Sequence, residues 1–287
     1  MPPATNHSAG GASHLSLLSL LTGPLGFVGA RAIGLLAHIG AVFLLLVETS
    51  GWVVKSLIYR KVRLGVSAII AQMIRVGVRS VMIVSLVSGC VGLILAFQLS
   101  PPLENFGQKE LVANIIGIAV LRELGPLIGA IVLTGFAGAS IAAEIGTMVV
   151  GEEIEALEAH ALNPVRFLVV PRVIAACLSM TVLAVIANWV AIIAAMGVSV
   201  IVLDIPYDTF KANLLQQAKP VDFWTGVGKG TIFGTLIGLI ACYNGLKVTG
   251  GAAGVGKATT GTVVQCVVAI IVADLIFTAI FYALKLV

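Results

Sequence analysis

Long apolar stretches with few charges are the feature of this sequence that most constrains its fold. A helix needs about 20 apolar residues to cross a bilayer. Five segments satisfy this, at about 80–103, 111–143, 173–203, 223–246 and 258–284. Only 10% of the residues are charged, against about 25% in soluble domains. The sequence therefore predicts a membrane protein, and it excludes a soluble enzyme, a disordered chain and a nucleic-acid-binding domain.

The predicted spans are helices, because backbone N–H groups in lipid must be paired within their own segment. We expect an all-α membrane protein with five transmembrane helices, an N-terminal interfacial helix at about 31–59 and a cytoplasmic helix after the second span. The uncharged part of the interfacial segment, Ala32 to Val47, is short for a span, and a tilted span is the alternative. Residues 1–25 are expected to form a flexible tail, followed by a single membrane domain over 26–287.

Basic residues before the first span set the predicted orientation. Acidic residues are absent from their segment, and a surplus of Lys and Arg beside a span marks the cytoplasmic side. The basic residues are Lys55, Arg60, Lys61, Arg63, Arg75 and Arg79. We therefore expect a cytoplasmic N-terminus.

The segment Gly151–Pro164 between the second and third spans predicts a short amphipathic helix. Ile154 and Leu157 share one helical face, and the acidic residues lie on or near the solvent side. The acidic residues are Glu152, Glu153, Glu155 and Glu158. Two interpretations remain open: a ridge on which a soluble partner docks, or a solvated surface helix without a partner.

Three charges lie deep inside apolar stretches: Arg122, Glu123 and Asp274. Such residues usually face a bundle interior or a wet cavity. Adjacent helical residues point about 100° apart, so we expect Arg122 and Glu123 each to find a partner on another helix. Gly125 and Pro126 favour a break in the helix there. The group either lines a cavity or forms structural ion pairs, and Asp274 either contacts Arg122 or lines the cavity.

The segment Gly251–Thr260 resembles a phosphate-binding loop, but Ala258 stands where a Ser or Thr would bind magnesium. The segment also joins two predicted spans, so we expect a flexible turn with no nucleotide site. The four cysteines, Cys90, Cys177, Cys242 and Cys266, are far apart in apolar runs. Their spacing predicts buried apolar side chains and no metal site.

Two stretches together resemble the MlaE/YrbE permease family. The first reads LRELGPLIGAIVLTGFAGASIAAEIGTMVVGEEIEALEAHALNPVRFLVVPR, and the second reads GVGKATTGTVV and is followed by Asp274. Members of this family are membrane subunits of ABC transporters that move lipids between membranes, and we expect phospholipids as the substrates here. The resemblance implies a homodimer in the bacterial inner membrane, two separate ABC ATPase subunits and an MCE-domain lipid-binding protein on the outer side.

The resemblance also implies roles for particular residues. The segment Glu152–Leu162 becomes a coupling helix that docks in the ATPase, through Glu152, Glu153, Ile154, Leu157, Glu158 and Leu162. The candidate residues of the lipid cavity are Arg122, Glu123, Gln98 and Asp274. This chain is expected to be non-catalytic and to bind no cofactor of its own, because ATP and Mg²⁺ belong to the partner ATPase.

The chain departs from the family at Phe136. Family members often have the pattern Gly-Arg-x-Gly before the AEIG stretch, where this chain has Gly135-Phe136-Ala137-Gly138. A role of that arginine in binding a head group or in pairing with Glu144 is therefore open here. Two other functions remain as alternatives: an ion- or proton-coupled secondary transporter that uses Arg122, Glu123 and Asp274, and a membrane scaffold that transports nothing.

Overall fold

The structure is a computed structural model that describes residues 12–58 and 65–285, with side chains from residue 29 onward except at residue 57. Within these ranges the regular elements are helices, and no strand occurs. The α-helices are α1 (Ala12–Ile58), α2 (Val66–Met73), α3 (Arg79–Asn105), α4 (Val112–Ala119), α5 (Gly125–Leu133), α6 (Ala139–Val150), α7 (Glu153–Ala159), α8 (Val170–Ile201), α9 (Tyr207–Gln217), α10 (Pro220–Leu246) and α11 (Gly251–Ala283). By their contacts, Met1–Val47 and Glu48–Val287 form two units, and every site below lies in the second.

Six helical runs in the described ranges are long and apolar enough to cross a membrane. They are Gly29–Ser56, Val66–Asn105, Lys109–Val150, Val165–Ile201, Pro220–Leu246 and Gly251–Ala283. The last five overlap the five predicted spans, which confirms an all-α, multi-pass membrane protein. The first overlaps the segment expected in the interface. Its 28 residues would also suffice for a span, so its placement stays a prediction.

The N-terminal segment differs from its expected form. Helix α1 begins at Ala12, so it includes residues 12–25 of the segment for which we expected a flexible tail. Residues 1–11 lie outside the described residues. So do Arg60, Lys61 and Arg63 of the predicted cytoplasmic basic cluster.

The described ranges contain four π-helical turns, of which the first three join α-helices into longer runs and the fourth leads into α8. They are Ile74–Val78, Val120–Leu124, Thr134–Gly138 and Val165–Val169. Such wide turns are rare and often mark functional sites. Pro126 explains one of them, because it has no N–H to donate to the carbonyl of Arg122, four residues earlier. The helix break predicted at Gly125-Pro126 is thus a π turn directly before these residues.

Small residues allow the helices to pack closely, and 32 of the 287 residues are glycine. Every fourth residue of α3 is buried and most are small: Ser80, Val84, Ser88, Gly92, Ala96 and Ser100. A Cβ at Gly92 would collide with the carbonyl of Ala191 on α8. On α10 a similar row is Gly226, Gly230, Gly234 and Gly238. A Cβ at Gly234 would lie 2.6 Å from the carbonyl oxygen of Ala176, so α8 and α10 touch along their backbones.

Some predicted boundaries and positions are wrong. Helix α3 continues through Pro101 and Pro102 to Asn105, beyond the end of the span predicted at about 103, because the φ angle of proline is itself helical. The glycine-rich segment expected as a turn starts α11 at Gly251, after left-handed φ angles of 84° at Gly250 and 67° at Gly251. Two of the cysteines are buried as predicted, whereas Cys90 is exposed.

Candidate functional site

Lys229 is the centre of a charged cluster inside the helical bundle. Its side chain is 1% exposed. The ammonium group donates to Glu123 Oε2 at 2.6 Å, to Asp274 Oδ1 at 2.9 Å and to Thr278 Oγ1 at 3.0 Å. Since an ammonium group has three donors, each of them has an acceptor. The ring of Phe281, centred 5.7 Å from the nitrogen, adds a cation–π contact to this buried charge.

A second ion pair lies beside the first. Arg122 Nε donates to Asp222 Oδ1 at 2.6 Å, and the Asp222 side chain is 1% exposed. Its other oxygen, Oδ2, accepts the backbone N–H of Lys219 at 2.9 Å at the start of α10. Asp222 therefore caps the helix and neutralises Arg122 at the same time. We call the following residues the Lys229 cluster: Arg122, Glu123, Asp222, Lys229 and Asp274.

Both ion pairs join the π turn Val120–Leu124 to α10. Asp222 and Lys229 are about two helical turns apart, so they lie on the same face of α10. Gly226 lies between them, and a Cβ there would collide with the carbonyl of Leu121. The missing side chain thus lets α10 approach the π turn closely enough for both pairs to form.

The structure confirms that Arg122 and Glu123 each find a partner on another helix, and both partners are on α10. Asp274 does not pair with Arg122, which was one of the two expectations for it. Instead it shares the Lys229 ammonium group with Glu123. Gln98, the fourth candidate cavity residue, is exposed on α3 and is not part of the cluster.

Lys229 and Asp222 complete the cluster but are absent from the sequence-based candidates. Lys229 is a lone charge in an otherwise apolar span, a pattern as unfavourable as that of Asp274. Asp222 follows the polar segment 204–219 and therefore resembles a loop residue. Their seven-residue spacing, which places both on one helical face, is the signal that could have identified them.

An apolar groove of about 450 Å³ lies between α10 and α11, next to the cluster. Its walls include Trp224, Ile232, Phe277 and Phe281. Lys229 is the charged residue among those that line it. Ligand-binding clefts have volumes of roughly 300–1,000 Å³ and mostly apolar walls with a few polar groups. The groove is therefore suited to a molecule with a long apolar part.

The α7 hairpin, residues 151–164, links α6 to the helical run that contains α8. Its helix, Glu153–Ala159, is shorter than the predicted Glu152–Leu162. Glu152 and Ala161 both have a φ of 58°, and this left-handed conformation ends a right-handed helix at either side. The hairpin is therefore about two turns of helix between two reversals of the backbone.

The α7 helix is amphipathic, as predicted. The carboxylate side chains are exposed, namely Glu152, Glu153, Glu155 and Glu158. The apolar side chains Ile154, Leu157 and Leu162 are partly buried. A groove of about 350 Å³ lies beside them, with walls that include Met148, Leu157 and Phe167. The hairpin thus presents an acidic rim around an apolar groove.

The end of α1 contacts the outgoing side of the α7 hairpin. Asn163 Nδ2 donates to Glu48 Oε1 at 3.4 Å. The guanidinium group of Arg166 lies 5.6 Å from the ring centre of Trp52. A displacement of the hairpin would therefore also change these contacts with the C-terminal end of α1.

A second group of ion pairs lies near the hairpin. Glu144 on α6 pairs with Arg75 Nη1 at 2.7 Å and with Arg172 Nη2 at 2.8 Å, and it also accepts a longer hydrogen bond from Gln72 Nε2 at 3.5 Å. We call Arg75, Glu144 and Arg172 the Glu144 clamp. None of the three was a candidate site residue. Glu144 and Arg172 lie at the ends of predicted spans, and Arg75 belongs to the basic segment before the first span. For the pairing with Glu144, which was left open by Phe136, the structure shows two other arginines as partners, and Phe136 is 48% exposed.

The comparisons with known proteins agree with this architecture. The family described as Permease MlaE matches residues 69–280. A probable ABC transporter permease of Rickettsia prowazekii is 34% identical over 75% of this chain and 83% of its own length. One of Rickettsia bellii is 33% identical over 89% of this chain and 96% of its own length. The chloroplastic protein Trigalactosyldiacylglycerol 1 of Arabidopsis thaliana is 32% identical over 74% of this chain and 60% of its own length. The chain therefore belongs to the MlaE permease family, whose relatives are membrane permease subunits of ABC transporters.

Proposed function

We propose that this chain is the permease of an ATP-driven lipid transporter, and that phospholipids are its substrates. The observation that carries the proposal is the apolar groove of about 450 Å³ that ends at the buried Lys229 cluster. A relative whose name contains a diacylglycerol lipid, Trigalactosyldiacylglycerol 1, supports a lipid as the cargo.

The groove and the cluster together match the two parts of a phospholipid. Aromatic and aliphatic walls such as Trp224, Ile232 and Phe277 hold acyl chains by burying their apolar surface. Arg122 uses Nε for its pair with Asp222, so its Nη groups remain as donors for a phosphate oxygen.

A separate ATPase subunit docks on the α7 hairpin in this proposal, and ATP and Mg²⁺ bind in that subunit. The exposed carboxylates and the neighbouring apolar groove provide a polar rim around an apolar contact, the common arrangement of a protein interface. The hairpin faces the cytoplasm, as does the N-terminus, because the basic residues before α3 mark that side. The membrane is the bacterial inner membrane.

Two copies of the chain form the transporter, with an MCE-domain lipid-binding protein on the outer side. ATP binding favours one of two conformations of the complex, and hydrolysis returns it to the other. The α7 hairpin passes this change to α6 and α8, which are continuous with it in the chain. The grooves then alternate between accepting a lipid and releasing it.

The alternative of an ion- or proton-coupled secondary transporter has less support. Its three residues, Arg122, Glu123 and Asp274, are held in ion pairs with Asp222 and Lys229. Relatives named as ABC transporter permeases over most of the chain favour an ATP-driven mechanism instead.

Co-purification tests the ATPase interface. The double variant Ile154→Asp/Leu157→Asp should lose the ATPase that purifies with the wild-type chain. A control with the same chemical change is Tyr207→Asp/Leu215→Asp on α9, where both side chains are exposed. The control should retain the ATPase. Full retention in the α7 variant would contradict the proposed interface.

Photo-crosslinking tests the lipid site. A photoreactive residue at Trp224 lies in the groove, and one at Trp189 lies outside it; these side chains are 68% and 61% exposed. Both should react with lipid in a bilayer, but only the reaction at position 224 should change when ATP is added to the complex. An equal response at the two positions would contradict transport through the groove.

A further inference from the structure

The Glu144 clamp connects three segments that are distant in the sequence. Arg75 belongs to the π turn Ile74–Val78, Glu144 to α6 and Arg172 to the start of α8. Helices α6 and α8 are the two arms of the α7 hairpin. The π turn, in contrast, belongs to the helical run Val66–Asn105, which is not joined to the hairpin in sequence. The clamp is therefore a direct tie between the hairpin arms and this run.

The two halves of the clamp differ in burial. Arg172 is 7% exposed, and its Nη1 also donates to the carbonyl of Leu168 at 2.8 Å. Its pair with Glu144 therefore lies in a medium of low dielectric constant and is hard to break. Arg75 is 48% exposed, and an ion pair in such a position contributes little to stability. The Arg172–Glu144 pair therefore stays closed, whereas the Arg75–Glu144 pair can open.

The charges of the clamp allow the Arg75–Glu144 pair to open without leaving a buried charge unpaired. Two guanidinium groups share one carboxylate, so Glu144 keeps a buried partner when Arg75 leaves. Arg75 then turns to water or lipid phosphate, where its charge is solvated. A clamp of this composition allows Arg75 to be paired or solvated while Glu144 stays paired with Arg172, and an element with two arrangements is what transmission of motion needs.

The π turn that contains Arg75 is packed against α8 on another side. A Cβ at Gly77 would lie 2.6 Å from Ser179 Oγ, so the backbones approach closely there. The turn is thus held by backbone contact with α8 and by an ion pair with α6. Because it continues directly into α3, a shift of this turn displaces the start of a long transmembrane helix.

We propose that Arg75 is a positioning residue that transmits the motion of the α7 hairpin to α3 through Glu144. This inference rests on the proposed function, since it assigns a path for the motion that the ATPase drives. Closing of the Arg75–Glu144 pair adds a charged link between the start of α3 and the hairpin arms. Opening removes this link and leaves the packing of Gly77 on Ser179 and the longer hydrogen bond from Gln72 to Glu144. The pair thereby sets how much lipid moves for each ATP hydrolysed.

The test uses the complex of this chain with its ATPase in phospholipid vesicles. Arg75→Gln removes the guanidinium group, and Arg75→Lys keeps the charge. The matched control is Arg79→Gln, since Arg79 is also exposed and lies one helical turn further along the same run. Three quantities are measured for each variant: the melting temperature, the rate of ATP hydrolysis and the amount of fluorescent phospholipid moved per ATP.

We expect Arg75→Gln to keep its melting temperature, its bound ATPase and its hydrolysis rate, while the lipid moved per ATP falls about five-fold or more. Arg75→Lys should recover most of the loss, and Arg79→Gln should behave like the wild type. An unchanged ratio in Arg75→Gln, or an equal fall in Arg79→Gln, would overturn the inference. A fall accompanied by a lower melting temperature would make the role structural and would also overturn it. Failure of the wild-type complex to move lipid with ATP would instead refute the proposed function.

Discussion

The Lys229 cluster and the Glu144 clamp are both groups of ion pairs between helices, but their compositions are opposite. The cluster has three carboxylates and two cations, and one of these cations is the Lys229 ammonium group, whose side chain is 1% exposed. The clamp has two guanidinium groups on one carboxylate, and Arg75 is 48% exposed. Glu123 and Glu144 are about 20 residues apart in one helical run, so about 30 Å separates the two groups.

The difference shows how one chain can combine a fixed region with a movable one. Every donor of Lys229 has an acceptor, so a change in the cluster would leave a buried charge without a partner. The clamp has two cations for one carboxylate. The exposed Arg75 can therefore separate from Glu144 without leaving a buried charge unpaired. We infer that the cluster holds the helices around the groove, while the clamp responds to the hairpin.

The largest expected effect is the removal of the ammonium group by Lys229→Met. Glu123 and Asp274 would then face each other without a cation, and we expect the free energy of unfolding to fall by about 3–5 kcal/mol. Unfolding of the purified protein in detergent measures this. A triple variant with Glu123→Gln and Asp274→Asn added should recover most of the loss. Wild-type stability of Lys229→Met would remove the distinction between cluster and clamp.

Asp222→Asn tests the second pair of the cluster. It leaves Arg122 without its carboxylate and weakens the cap of α10, and we expect a loss of about 1.5–3 kcal/mol. The effect is smaller than that of Lys229→Met because Arg122 is 18% exposed and can be solvated in part. The same unfolding experiment measures it. If the loss exceeded that of Lys229→Met, Lys229 would not be the centre of the cluster.

The contact between α8 and α10 links the two regions, since α8 carries Arg172 and α10 carries Lys229. Gly234→Ala inserts a methyl group 2.6 Å from the Ala176 carbonyl oxygen, and we expect a loss of about 1–3 kcal/mol. Gly228→Ala is the matched control, because a Cβ there has no neighbour within 4 Å among the described residues. Equal melting temperatures for the two variants would contradict the close packing.

The smallest effect on stability is expected for Arg75→Gln. An ion pair at a half-exposed position contributes about 0–1 kcal/mol, and high salt should reduce even this contribution. Arg172→Gln should cost clearly more in the same unfolding experiment, because its side chain is 7% exposed and Leu168 would lose a donor. A larger loss for Arg75→Gln than for Arg172→Gln would reverse our assignment of the fixed and movable halves.

Much of the fold follows from the sequence, because hydrophobic length is a strong signal in a membrane protein. Five predicted spans, the amphipathic α7 helix and the separate partners of Arg122 and Glu123 are confirmed by the structure. Each rests on a local rule that does not depend on the tertiary fold, such as the 100° angle between adjacent helical residues.

The parts that sequence reasoning missed depend on contacts between distant segments. Lys229 and Asp222 become recognisable only when α10 packs on the π turn at Gly226. The pairing of Glu144 with Arg75 joins residues that are separated by three helices in the sequence. A residue at the end of an apolar stretch looks like a solvated flank, although Arg172 is nearly buried.

The central claim is that ATP hydrolysis in a partner drives lipid through this chain, and one measurement tests it most directly. Transfer of a fluorescent phospholipid is followed in vesicles that contain the complex of the chain with its ATPase, with ATP and with a non-hydrolysable analogue. The account predicts transfer that requires hydrolysis and is lost in the α7 variant Ile154→Asp/Leu157→Asp. Transfer at the same rate without ATP, or flux driven by an ion gradient alone, would contradict it.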